Sequence, residues 1–139
     1  MKKGILTLAL ILSISSLYAQ SNADACLGTW LTGSKKGHVQ IYKQGDKYYG
    51  KIIWMKDPSK LDTKNPDSKR HSQPILGMVN LRDFTYSSTN LWEDGKIYDP
   101  ENGKEYSAKM TLVNANQLNV RGFIGISLIG RTDSWVRVK

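Results

Sequence analysis

The chain has 139 residues, 40% of them hydrophobic and 23% charged, with a formal charge of +8 at pH 7. That length suits one compact domain with a real core and leaves no room for two. The only cysteine is Cys26, which excludes an intrachain disulfide and any CxxC metal or redox site.

The first residues read as a targeting segment. Lys2 and Lys3 form a basic end, Ile5 to Leu17 is an apolar run of h-region length, and Ala19 offers a small residue for cleavage before Gln20. The run is too short to span a bilayer with ease. The expectation is a signal peptide over 1–19, a single domain over 20–139, and a periplasmic or secreted product that is not transmembrane after cleavage and stays basic. Cys26 follows the apolar run only after a polar spacer, Ser21 to Ala25. That spacing argues against a lipoprotein and for a buried thiol near the first strand.

Twelve glycines and the absence of long helical periodicity point to β structure. Ala25 to Thr32 is a short strand holding Gly28-Thr29-Trp30. From Gly37 to Lys43, Val39 and Ile41 alternate with polar residues, and the turn Gln44-Gly45-Asp46 leads into Lys47 to Lys56 as a hairpin. Gly50 inside that second strand marks a bulge or a close backbone approach. Asp57 to Gln73 carries two prolines and alternating charge, which makes it a long surface loop of the kind used as a lid or binding loop, or else an inert insertion. Pro74 to Phe84 returns to the sheet, and after a polar turn Tyr86 to Trp92 continues it. Asp99-Pro100-Glu101-Asn102-Gly103 closes a tight hairpin between Lys96-Ile97-Tyr98 and Lys104-Glu105-Tyr106. Tyr106, Ala108, Met110 and Leu112 form one face of the clearest one-sided strand. A turn at Asn114-Ala115-Asn116 leads into Leu118 to Phe123, and a corner at Gly125-Ile126-Ser127 into the last strand.

About eight to ten strands joined in order by mostly short turns predict an all-β fold, a small antiparallel up-and-down β-barrel. Closure would bring the first strand, with Trp30, beside the last, with Trp135 and Arg137, the guanidinium stacking on an indole.

GTWLT, KYYGKIIW, KNPD, PILG, WEDGKIYDPENGKEYSAKMTL and LNVRGFIGISLIGRT with SW and RV after it together resemble the bacterial exported domain-of-unknown-function family 2147 (DUF2147). The resemblance runs from Leu27 to Val138. It implies an exported domain, and the family name assigns no function. One departure stands before PILG, where the family usually has arginine and this chain has Gln73, with Arg70 and His71 nearby. GTW near the start and an arginine near the end are also similar to the calycin pattern of lipocalins and fatty-acid-binding proteins, which implies architecture more than activity.

No catalytic constellation, metal set or cofactor motif emerges. His38 and His71 lack ligand spacing, no G-x-S-x-G elbow exists, and Asp99 with Glu101 is explained by turn capping. The glycines at 122, 125 and 130 do not precede a helix, and scattered lysines without a known motif give no nucleic-acid reading. Lys109, Arg121 and Arg131, on neighbouring strands among apolar residues, are expected to face inward. There they would either converge on an anion, with Tyr98 and Asp99, or pair with Asp99, Glu101 or Asp133. The leading expectation is therefore a non-catalytic barrel binding a small amphipathic or anionic ligand. Two alternatives stand beside it: an envelope module that binds an acidic polymer or protein through Lys35 to Arg70, and a hydrolase or isomerase using Asp99 with a tyrosine.

Overall fold

The computed structural model describes residues 22–126 and 128–138. The expected targeting segment lies outside the described residues, as does Ser127 of the expected corner. Eight antiparallel strands follow one another around a closed barrel: β1 (Gly28–Leu31), β2 (Gly37–Gln44), β3 (Lys47–Met55), β4 (Val79–Ser88), β5 (Leu91–Asp99), β6 (Lys104–Asn114), β7 (Gln117–Phe123) and β8 (Gly130–Arg137). The ring closes where Trp30 of β1 stands opposite Arg137 of β8 and Leu31 opposite Val136. Closure leaves no sheet edge to template aggregation.

The period-two pattern places the core. Val39 and Ile41 of β2, Ala108, Met110 and Leu112 of β6, Leu118 and Val120 of β7, and Trp135 of β8 are all buried on the inner face. Trp30, Tyr48, Leu81, Phe84 and Trp92 fill the centre and are essentially inaccessible. Each contributes on the order of 1.5–3 kcal/mol relative to exposure. Two glycines make room for them. A Cβ on Gly50 would come within 2.7 Å of Leu81 Cδ1, and one on Gly95 within 2.5 Å of the Phe84 ring. The expected close approach at Gly50 is thus a packing contact, and this part of the barrel is filled by its own side chains.

Three local expectations need correction. Ala25 to Leu27 is not strand, and β1 starts at Gly28. Tyr86 to Trp92 is not one strand, because Asn90 adopts a left-handed φ of 62° and turns β4 into β5. Asparagine tolerates that region without help from glycine, so the turn carries little compositional signal. Pro74 to Met78 is not strand either; β4 starts at Val79, after Gly77 with φ 92°.

One barrel end is plugged. Residues 22–27 make a helical turn across it, and the side chains beneath hold its backbone: Trp92 Nε1 donates to the Ala23 carbonyl (3.0 Å) and Trp30 Nε1 to that of Cys26 (3.0 Å). Tyr48 donates its hydroxyl to Asp24 Oδ1 at 2.6 Å, and Lys43 Nζ lies 3.5 Å from the same oxygen. Cys26 is fully buried there, and burial pushes its thiol up to about 12. The connections β1–β2, β3–β4, β5–β6 and β7–β8 all gather at the other end.

Candidate functional site

Arg137 joins the two chain ends. Its guanidinium lies 4.3 Å from the Trp30 ring centroid. It also donates to the carbonyls of Leu27 (2.7 Å), Ala25 (2.9 Å) and Ala115 (2.7 Å). Gly28, at φ 129°, is needed beneath it, since a Cβ there would sit 2.7 Å from Arg137 Nη1. Trp135 is the neighbouring core residue on β8, its indole N–H donating to Asp133 Oδ2 at 2.7 Å.

The other cations do not converge inside. Lys109 and Arg121 are register partners on β6 and β7, and they alternate with the buried Ala108, Met110, Leu118 and Val120. Both therefore stand on the outer face, contrary to the inward expectation. Flanking apolar residues in sequence mark the opposite face of a strand, not the surroundings of the charge. Arg121 donates to Thr132 Oγ1 at 2.9 Å. Arg131 shares the inner parity of Asp133 and Trp135 but sits exposed at the open rim, opposite Gly122. Asp99 caps its own turn by accepting the Glu101 N–H at 2.9 Å, the role that turn chemistry led one to expect.

Tyr98 leads to the built site. It lies on the outer face of β5, and the 56–78 connection folds back over it. Asp62, only 1% exposed, accepts the Tyr98 hydroxyl at 2.7 Å and the Asn65 carboxamide N–H at 2.8 Å. Burial and this bond push the Tyr98 hydroxyl up to about 12. The loop is tied along its length as well. Asp62 N donates to Gln73 O (2.9 Å), Ile75 N to Lys60 O (3.1 Å), His71 Nε2 meets Asn65 O at 2.7 Å, and Ile75 is buried with the core. The stretch that looked like polar surface is a folded flap.

Between flap and sheet runs an open groove of about 760 Å³, of the size that accepts small molecules. Pro66, Leu76, Met78 and Val79 give it an apolar wall, and Asn80, Arg82, Arg70 and Glu105 a polar one. Arg82 is occupied: it forks onto Glu105 (2.7 and 3.4 Å) and meets Asp83 at 2.8 Å. Arg70 is only loosely held, 3.8 Å from Asp67 and largely in solvent. Asn80 is the anomaly, since its Oδ1 is buried and accepts no hydrogen bond among the described residues. A buried acceptor without a donor costs about 1–3 kcal/mol. Sequence reasoning pointed to Tyr98 and, within the basic segment, to Arg70, but missed Asp62 and Asn80. Asp62 and Arg70 lie in a charged loop, and only the parity of Asn80 and Arg82 on an outward face connects them to it.

Residues 28–137 match the family model described as an uncharacterized protein conserved in bacteria (DUF2147). The chain belongs to this family. Among solved structures, it is similar to HP1028 from Helicobacter pylori, described as belonging to the lipocalin family, with a TM-score of 0.73 and 26% identity over 81% of this chain and 82% of that one. The chain's fold is thus a lipocalin-like eight-stranded antiparallel barrel, as the strand count and the GTW pattern led one to expect. No curated protein matches the chain. Among the described residues, no helix is long and apolar enough to cross a membrane.

Proposed function

We propose that this family member is an exported, non-catalytic carrier that binds a small amphipathic anion in the groove under the 56–78 flap. Asn80 carries the reading. Its unpartnered oxygen has no solvent contact and would meet a ligand donor once the side chain turns into the groove; the apolar wall calls for a hydrocarbon body, and the loosely held Arg70 for a carboxylate or similar anion. An acyl chain ending in an amide N–H and a carboxylate combines the three, so N-acyl amino acids are the first probes. The lipocalin-like fold is compatible with small-ligand binding. The packed centre moves the proposed site from the barrel interior to its flank. Thermal-shift and calorimetric titration should show stabilisation by an N-acyl amino acid, weaker stabilisation by the matching fatty acid, and affinity lowered on the order of tenfold in Asn80→Ala. Absence of stabilisation, or equal binding by Asn80→Ala and Arg70→Ala, overturns the groove as the site. Export is supported by the N-terminal pattern, and a product from the cell envelope starting at Gln20 is the expected outcome of N-terminal sequencing.

A further inference from the structure

The connection between β7 and β8 is apolar and stands in the open. Ile124, Ile126, Leu128 and Ile129 are 68%, 60%, 84% and 67% exposed. The loop closes on itself through Ile129 N to Ile126 O at 3.1 Å, and at Gly125, φ 77°, a Cβ would meet nothing within 4 Å. Among the described residues no other large hydrophobic exceeds the 53% exposure of Val136, so four at 60% or more together at the tip of one hairpin mark an interaction surface.

The surroundings of the tip are cationic. Arg131 is exposed at its base, opposite Gly122. Arg121 reaches up the loop, its Nη2 3.4 Å from the Leu128 carbonyl, and Lys109 stands beside it across the β6–β7 pair. Lys35 and Lys36, both exposed, belong to the β1–β2 connection at the same barrel end. We infer that this loop is a docking device for an anionic phospholipid surface, the aliphatic tip entering the headgroup and acyl boundary while the collar of Arg131, Arg121 and Lys109 meets lipid phosphates. A convex apolar tip above basic side chains fits a bilayer, where hydrocarbon burial and charge attraction act together. A second copy is disfavoured by the same collar, because two chains of charge +8 would have to bring like charges together. This inference does not depend on the ligand proposed for the groove, although docking would turn the flap end toward the membrane.

The test uses the full chain, so that the apolar 5–17 segment is common to every sample. Cys26 is buried, which leaves a thiol introduced as Leu128→Cys free to take an environment-sensitive fluorophore; Val113→Cys, exposed near the far end of β6, serves as the control. With phosphatidylcholine vesicles containing phosphatidylglycerol, the label at 128 should move to an apolar environment and the label at 113 should not. The response should fade with added salt and with phosphatidylcholine alone. Combining Ile126→Ser with Ile129→Ser should weaken vesicle affinity by on the order of tenfold or more. A label at 128 that stays in water, or insertion reported at 113 instead, overturns the inference. So does a response at 128 that depends on protein concentration without lipid, since it would assign the tip to a second copy.

Discussion

At the scale of single residues, the work of the charged side chains differs by position far more than by type. Arg137 replaces water with three backbone carbonyls and an indole face, so its removal strands acceptors at the plugged end and uncovers Trp30. Arg137→Ala should destabilise by about 2–4 kcal/mol in urea titration, and Arg137→Lys should restore less than half of that, because an ammonium has no planar fork to reach three carbonyls or stack on the ring. Lys109→Ala, on the outer face, should stay within about 0.5 kcal/mol of the parent. Both residues sit between apolar neighbours in the sequence. What separates them is parity together with the carbonyls that residues 22–27 and the β6–β7 turn bring to Arg137.

At the scale of elements, the flap is tied by its own backbone bonds and, across to the sheet, by one buried carboxylate. Tyr98 and Asn65 are the donors that hold the buried Asp62 carboxylate, and no cation does so among the described residues. Tyr98→Phe should therefore loosen the flap before the barrel, raising hydrogen exchange at the Asp62 and Ile75 amides by about tenfold while the β6 and β7 amides stay protected. If all amides accelerated together, flap and barrel would be one cooperative unit. The strands were legible in the sequence because their alternation is strict, as in Tyr106 to Leu112, and because Gly45 and Gly103 punctuate the turns. The ring closure was legible from Trp30 and Arg137. The 57–73 loop was legible as a lid or an insertion but its internal order was not, since it holds almost no apolar side chains and is fixed by its own backbone bonds and by Asp62 finding Tyr98 across 36 positions. Nor was the outward direction of Arg121, which needs the neighbouring buried positions to be known. Asn80 gave no signal at all, because one asparagine on a strand is ordinary until its oxygen proves to be buried.

At the scale of the molecule, the barrel is closed at one end by groups that must stay neutral or hydrogen-bonded. Cys26 is buried in the plug, and burial raises its thiol well above the ordinary 9.0. Tyr48, beneath the plug, is raised from 10.0 by burial first and then by its bond to Asp24; Tyr98, under the flap, is raised by burial and Asp62. All three acids hold their protons more tightly in the folded chain than in the unfolded one. Stability from them is complete below the ordinary values of 9.0 and 10.0, and it drains away as pH climbs above them, because the unfolded chain releases protons that the fold retains. Denaturation midpoints should thus change little from these groups around neutral pH and fall steadily on the alkaline side of 9.0. The slope separates the contributors. Cys26→Ala should remove the earliest part of the decline, and Tyr98→Phe should lower stability at every pH while flattening the later part. A midpoint that stayed level through this range, with the tyrosines seen to ionise in the ultraviolet at their ordinary value, would mean that the plug and the flap open without unfolding the barrel.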